Sequence, residues 1–383
     1  MDNLAMDNMK MQRQKSGRGF TLLELMISMA LGLIVMAAMA SLFKTGMNST
    51  MLVTQRAETQ QNMRAAIDLM VKDISMAGAG LPSGGLQLPT GGGATAAKFG
   101  CDQSGTCHVT NHTYAGNFMY GIIPGYTNGV EGGATITAAP PPAINDSITV
   151  AYADYNFPLF EYDVTFPSAP DGTSICLTPN TAFSATPPPA VNGAGGIKAG
   201  DLILINGANG VTAVGEATNV TANSITFAQT DPLNMNWTGG THTNNIYAVS
   251  SNVGYATCPP PVTVPQTTQG TAYRLYVVTY YLTVPGAGQT PRLMRQVNGL
   301  TPAPVADDIV NLQFAFDTYN STTSALDANQ ANPIGVGESP SNIQKVNLIV
   351  MGQSIINNGN KSQNMFLTTS VSARNMAFRD RYQ

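Results

Sequence analysis

Residues 15–43 read KSGRGFTLLELMISMALGLIVMAAMASLF, and this stretch decides how the rest of the chain is arranged. From Phe20 to Phe43 it holds 24 residues with one charge, Glu24. At about 1.5 Å per residue such a helix spans about 36 Å, enough to cross a hydrocarbon core of about 30 Å. Four basic residues precede it and predict that the amino end stays cytoplasmic while the remainder is exported: Lys10, Arg13, Lys15 and Arg18.

An ordinary secretory signal would have a shorter apolar region followed by a small-residue cleavage site, whereas here the run continues into a helical pattern.

Glu24 is the informative residue of this span. An acid inside an apolar span is a candidate functional residue, because a charge at the bilayer centre costs roughly 2.5–3.5 kcal/mol on insertion scales. The alternative interpretation is a helix-end acid that lies at the lipid headgroups.

The decapeptide KSGRGFTLLE, residues 15–24, closely resembles the class III signal of type IV prepilins and pseudopilins. The resemblance implies that a membrane-embedded prepilin peptidase cuts between Gly19 and Phe20 and that Phe20 is then N-methylated. It also implies that Glu24 pairs with the amino-terminal amine of a neighbouring subunit inside a filament. Such pairing is physically coherent, because a buried carboxylate is tolerated only when it is paired. Glycine suits the cleaved position because the missing side chain lets the peptidase approach the backbone.

The segment after the span is predicted to continue as a helix. It contains no proline up to Pro82, and it carries an apolar stripe at spacings of four, three and four: Met63, Ile67, Met70 and Ile74. Gly78 and Gly80 then supply a helix stop. We therefore divide the chain into a leader peptide (1–19), a transmembrane or filament-core helix (20–43), an amphipathic stem helix (44–80) and an exported β-rich head (81–383).

The head contains strand-like runs separated by linkers rich in Gly and Pro. These runs are 146–153, 201–205, 224–227, 272–284, 292–297, 309–316, 346–351 and 366–371. The predicted fold class is α+β and pilin-like: one long N-terminal helix, with its first half spanning the membrane, packed on a loop-rich antiparallel β-sheet head. The order of features is similar to that of PilW-like minor pilins, from DLMVKDISMAGAG (68–80) through GDLILI (200–205), DPLNMN (231–236) and PRLMRQV (291–297) to VSARN (371–375).

All four cysteines fall in the exported part of the chain: Cys101, Cys107, Cys176 and Cys258. An even count in an oxidising compartment favours disulfides, and three pairings are open. We favour Cys101–Cys107, which closes a tight loop, together with Cys176–Cys258. The alternative is a metal site formed by Cys101, Cys107, His108 and His112, but its spacing is unusual for zinc and disulfides would consume the thiols. We therefore predict no metal.

Composition limits the function classes. A net charge of −4 argues against a nucleic-acid binder, because there is no basic surplus to displace phosphate counterions. Three histidines and the lack of a Gly-x-Ser-x-Gly elbow predict a protein that is not an enzyme and needs no cofactor. Asp154, Glu161 and Asp163 could gather calcium, but a solvated acidic surface is the simpler interpretation.

The resemblance implies a non-enzymatic minor pilin that helps to initiate type IV pilus assembly or sits at or near the pilus tip. Its implied partners are other minor and major pilins, the prepilin peptidase, and the assembly platform of the inner membrane. It would lie in the inner membrane before assembly and on the pilus afterwards. One alternative is a J-type pseudopilin of a type II secretion system, and another is a membrane-anchored periplasmic enzyme.

Overall fold

The computed structural model describes residues 19–82, 84–89, 97–102, 107–108, 118–136, 144–167, 172–180, 188–207, 210–237, 244–250, 258, 270–286, 289–356 and 361–377. The chain divides into two compact units, residues 1–56 and residues 57–383. Helix α1 (Leu22–Met76) contributes residues to both units. Its continuity follows from the sequence, because no proline interrupts the main-chain hydrogen bonds between Phe20 and Leu81.

In the second unit, α1 packs one face into a hydrophobic core. Its buried residues include the four members of the predicted apolar stripe, Met63, Ile67, Met70 and Ile74. The helix ends at Met76, and Gly78 follows with a φ of +75°, a conformation that glycine adopts without steric cost. The predicted amphipathic face and the glycine stop are both present.

The described residues of the head form strands that pair antiparallel throughout. They are β1 (Leu86–Gln87), β2 (Phe118–Met119), β3 (Ile122–Gly125), β4 (Ser147–Asp154), β5 (Tyr162–Thr165), β6 (Ser174–Pro179), β7 (Leu202–Asn206), β8 (Thr212–Glu216), β9 (Asn219–Val220), β10 (Ser224–Thr226), β11 (Thr271–Thr283), β12 (Arg292–Val297), β13 (Ala303–Asp307), β14 (Ile309–Asn320), β15 (Ala325–Gln330), β16 (Ile343–Ile356) and β17 (Lys361–Ser372). The described residues also form two short α-helices, α2 (Ile246–Ser250) and α3 (Arg374–Ala377), and three 3₁₀ turns at Glu131–Gly133, Leu159–Glu161 and Pro340–Asn342.

Strand β11 is the centre of a seven-stranded sheet. Its residues 274–280 pair with β4, while on the opposite edge residues 271–275 pair with β7 and residues 278–283 pair with β12. A second sheet has the order β15-β14-β16-β17, and a third has the order β5-β6-β10-β9. The helical residues after position 57 share one core with the central and C-terminal sheets.

Close approach between α1 and the C-terminal sheet occurs at Gly352 on β16. A side-chain carbon added there would lie 2.7 Å from Cγ2 of Thr59 and 2.8 Å from Sδ of Met63. Glycine at this position therefore lets the strand backbone reach the helix surface.

The predicted fold class is confirmed: a long apolar N-terminal helix is followed by antiparallel sheets. Each of the eight predicted strand-like runs overlaps a strand, although β14, β16 and β17 extend further than the apolar runs that predicted them. Several strands were not predicted, among them β5, β6, β8 and β15.

Candidate functional site at the amino terminus and the stem anchor

The Gly19–Phe20 peptide bond lies immediately before α1. The side chain of Phe20 is 83% exposed, and a carbon added at Gly19 would meet no atom within 4 Å. Among the residues that the structure describes, nothing blocks access to this bond.

The carboxylate of Glu24 caps its own helix. The backbone N–H of Thr21 donates to Oε2 of Glu24 over 3.1 Å, and the backbone N–H of Glu24 donates to Oγ1 of Thr21 over 3.2 Å. The Thr21 hydroxyl also donates to the same Oε2 over 3.1 Å. This reciprocal arrangement is a capping box, which the pattern Thr-x-x-Glu could have predicted from sequence. No described residue donates a hydrogen bond to Oε1, so this oxygen is available to an incoming donor.

The large apolar side chains from Phe20 to Met51 are exposed around the helix, with exposed fractions between 51% and 83%. The helix is long and apolar enough to cross a membrane, and none of its most apolar 18-residue window is buried. A helix that is apolar on every side is stable only when lipid or other protein covers it. The amino-terminal half of α1 therefore requires an environment that the described part of this chain does not supply.

The carboxylate of Asp73 anchors the other half of α1 to the central sheet. It is 2% exposed and accepts hydrogen bonds from the Tyr280 hydroxyl over 2.6 Å, the Arg295 Nε over 2.9 Å and the Tyr152 hydroxyl over 3.0 Å. These partners lie on β11, β12 and β4, so one helical side chain joins three adjacent strands. We call Asp73, Tyr152, Tyr280 and Arg295 the stem anchor.

The three side chains that donate to Asp73 all have raised pKa values. Burial and the neighbouring charge of Asp73 raise the pKa of both tyrosine hydroxyls, which therefore stay protonated as donors. Burial opposes the charge of Arg295, but the hydrogen bond and the charge of Asp73 raise its pKa. A carboxylate saturated by three donors is suited to holding elements together rather than to proton transfer.

Both favoured cysteine pairings are present as disulfides. Cys101 and Cys107 face each other across an isolated antiparallel bridge with their Cα atoms 3.8 Å apart. Cys176 on β6 is bonded to Cys258, with their Cα atoms 5.6 Å apart. The thiols are thus consumed, and His112 lies outside the described residues. Within the described part of the chain, no group of three or more Cys, His, Asp or Glu residues could hold a metal ion.

Two of the three acidic residues considered for calcium have separate partners. Asp154 is paired with the Arg274 guanidinium, and Asp163 accepts a hydrogen bond from the Asn180 side chain over 2.7 Å. Arg274 also lies near the rings of Phe157 and Tyr276, at 5.9 Å and 5.2 Å from their centroids. Asp154 thus belongs to a packed ion pair within the head.

A comparison with known protein families finds a match that covers the amino terminus and the first part of α1. Residues 14–40 match the family described as the prokaryotic N-terminal methylation motif. No curated protein and no solved structure matches the chain. The motif is the class III prepilin signal, which implies processing by a prepilin peptidase and association with pilin assembly machinery. Together with the exposed apolar helix, it supports a type IV pilin-like protein.

Proposed function

We propose that this protein is a non-enzymatic minor pilin of the PilW-like class, which helps to initiate type IV pilus assembly or sits at or near the pilus tip. The observation that carries the proposal is the methylation motif at residues 14–40. It is supported by an apolar helix half whose described surface is unburied from Phe20 to Met51. The size of the head, and Ser41 where many major pilins have proline, favour a minor over a major subunit.

The proposed pathway begins in the inner membrane with the head exported. The leader 1–19 is removed, Phe20 is methylated, and the helix 20–43 passes from lipid into the filament core. Glu24 receives the amine of a neighbouring subunit there, because a carboxylate that leaves the headgroup region needs a cationic partner. The partners are other minor and major pilins and the assembly platform of the inner membrane.

The first test is the amino-terminal mass of the protein isolated from its own membranes, compared between two glycine variants. Gly19→Val is expected to keep its leader, because the peptidase must approach that backbone closely. Gly32→Val is the matched control, since a side chain at either glycine meets no atom within 4 Å. We expect Gly32→Val, like the wild type, to begin at N-methyl-Phe20. Normal cleavage of Gly19→Val, or an intact leader on the wild type, would contradict the pathway.

The second test separates the two roles of Glu24. Glu24→Gln keeps a side chain able to complete the capping box but removes the charge, whereas Thr21→Ala breaks the box and keeps the charge. If Glu24 pairs with an amine in the filament, incorporation into sheared pili falls strongly for Glu24→Gln and stays near wild type for Thr21→Ala. The reverse pattern would show that helix capping is what assembly needs.

The alternative is a J-type pseudopilin of a type II secretion system, because pseudopilins carry the same class III signal. Deleting the gene in the producing bacterium distinguishes the two machines. Loss of surface pili with normal protein secretion is the expected result. Loss of secretion with normal piliation would replace the minor-pilin proposal by the pseudopilin one.

A further inference from the structure

Strand β17 forms one edge of the C-terminal sheet. Its pairing with β16 runs without interruption from Lys345 opposite Ser372 to Ile356 opposite Lys361. In the sheet order β15-β14-β16-β17, no strand of the described residues pairs with the other side of β17. With 12 residues it is the longest edge strand that the structure describes. Such an edge presents a row of backbone N–H and C=O groups to any extended chain that approaches it.

The other described edge strands carry features that prevent pairing with another chain. All of them are shorter than β17, and the register of β13 and of β15 with their neighbours is interrupted by an irregularity. Most also contain a proline or an acid, namely Pro124 in β3, Asp163 in β5, Glu216 in β8, Pro304 in β13 and Asp327 in β15. Strand β17 has a regular register, no proline and no acid, and its single charge is Lys361 at its first position.

The alternation of the β16–β17 ladder shows which backbone groups face outward. The backbone N–H of Ala373, directly after β17, donates to the Gln344 carbonyl over 2.9 Å. The register, continued by one pair, places these two residues opposite each other. The odd-numbered residues of β17 therefore exchange hydrogen bonds with β16, and the even-numbered residues point their N–H and C=O groups away from it. In the middle of the strand the outward groups belong to Phe366, Thr368 and Ser370.

The side chains of β17 leave room for a further strand on both faces of the sheet. Met365 lies opposite Gly352, where β16 approaches α1, so Met365 and Leu367 are on the α1 face. Both are only partly buried at the margin of the hydrophobic core. Phe366, on the other face, is 61% exposed. A strand added beside β17 would cover Met365 and Leu367 on one face and Phe366 on the other.

We propose that the outer edge of β17 is the docking site for an extended segment of a different subunit, which adds to the C-terminal sheet as a further strand. Main-chain hydrogen bonds to Phe366, Thr368 and Ser370 supply the affinity, and alternating apolar side chains supply the specificity. The added segment is uncharged where it meets residues 362–372, because that stretch has no charged residue to pair with it and a buried unpaired charge is costly.

The direction of α1 argues against a second copy of this chain as the occupant. Met63 of α1 lies at Gly352, opposite Met365, and the end of α1 lies at Asn375, whose side chain donates to the Met76 carbonyl over 3.4 Å. Residues 63–76 therefore run in the same direction as β17. In a two-fold pair of antiparallel β17 strands these helical segments would run in opposite directions, whereas subunits of one filament are related head to tail. This choice of occupant rests on the proposed function.

The first measurement is photo-crosslinking in membranes and sheared pili of the producing bacterium. A benzophenone-bearing phenylalanine is placed at position 366, 368 or 370 of the full-length chain, and mass spectrometry identifies the crosslinked residue. Because paired strands advance together, we expect the crosslinks to move by about two residues per step along one segment of another subunit. The same probe at Leu326, which is 53% exposed on the opposite edge strand β15, is the control and should not reach that segment.

A proline variant tests whether the backbone carries the contact. Thr368→Pro removes an outward N–H, so the unfolding midpoint of the chain should stay near that of the wild type. The crosslink from position 366 should fall about tenfold, as for the loss of one backbone hydrogen bond. Thr368→Val keeps the N–H and the side-chain shape and should crosslink like the wild type. If Thr368→Pro lowers the midpoint, Ser370→Pro repeats the comparison at the next outward N–H, with Ser370→Ala as its control.

The docking site would be overturned if crosslinks were absent, were scattered over unrelated proteins, or reached the same chain or a second copy of it. Full crosslinking of a stably folded Thr368→Pro chain would also overturn it. Failure of the proposed function is read separately, as an intact leader on the wild type or as loss of secretion with normal piliation. In either of those cases the crosslinks from β17 still show whether a strand of another protein lies on this edge.

Discussion

The two halves of helix α1 are built from similar apolar residues but are stabilised in different ways. From Phe20 to Met51 the large apolar side chains are at least 51% exposed, whereas Met63, Met70 and Ile74 are fully buried. The first half is apolar on every side, and the second concentrates its apolar residues on one face and its polar residues on the other. An amphipathic helix can bury its apolar face against the head of the same chain. A helix that is apolar on every face must be covered by lipid or by other subunits.

We therefore expect the second half of α1 to stabilise the folded chain and the first half to serve membrane insertion and assembly. Substitutions in the second half should act on the free energy of unfolding of the single chain. Substitutions in the first half should leave that free energy nearly unchanged and act on membrane insertion and filament entry. The following predictions compare matched residues on either side of this division.

The largest effect is expected at the stem anchor. Asp73→Ala leaves the Tyr152 and Tyr280 hydroxyls and the Arg295 charge without their buried acceptor, which should lower the free energy of unfolding by about 3–5 kcal/mol. Denaturant titration of the detergent-solubilised full chain measures it. Asp68→Ala, an exposed acid five residues earlier on the helix, is the control and should cost less than about 0.5 kcal/mol. Equal costs for the two variants would show that the anchor does not fix the stem.

Truncating one methionine in each half of α1, Met70 or Met47, compares how much side-chain packing contributes to stability in the two halves. Met70→Ala empties a fully buried site and should cost about 2–5 kcal/mol in the same titration. Met47→Ala truncates a side chain that is 51% exposed and should leave the unfolding midpoint nearly unchanged. If Met47→Ala destabilises the single chain as much as Met70→Ala does, the amino-terminal half has a partner within the chain and the comparison fails.

The smallest effect is expected from a pair of glycines. Gly352→Ala places a carbon 2.7 Å from Cγ2 of Thr59, and this overpacking should cost about 1–3 kcal/mol. Gly46→Ala adds the same carbon where nothing lies within 4 Å and improves helix propensity, so it should cause no loss. If Gly352→Ala leaves the midpoint and slope of the denaturant titration unchanged, α1 can shift on β16 to make room for the added carbon, and the close approach is not a constraint.

Sequence reasoning succeeded where one local pattern carries the information. The stripe of Met63, Ile67, Met70 and Ile74 predicted the buried face of α1, and the run DLILI predicted β7, because apolar periodicity reflects burial directly. It failed where a strand has no apolar run. Strand β15 reads ALDANQ and lies largely exposed at a sheet edge, so its pairing with β14 rather than its composition makes it a strand.

The amino-terminal signal was readable from sequence because its chemistry is local: a basic stretch, a Gly-Phe junction, an acid and an uninterrupted apolar run follow one another. The capping box of Thr21 and Glu24 is equally local, and the Thr-x-x-Glu pattern could have been recognised. The stem anchor could not, because Asp73 meets Tyr152, Tyr280 and Arg295 across separations of 79, 207 and 222 residues.

The sequence by itself therefore determined the long helix, the different apolar patterns of its two halves, the antiparallel head and the processing signal, while it left three cysteine pairings open. Only the tertiary structure decided which polar side chains meet inside the head, namely the anchor around Asp73 and the position of His108 between Asp102 and Glu131. The physical reason is the sequence separation over which each interaction acts. Hydrophobic periodicity and capping act over a few residues, whereas a buried charge finds its partners only after the sheets have brought distant strands together.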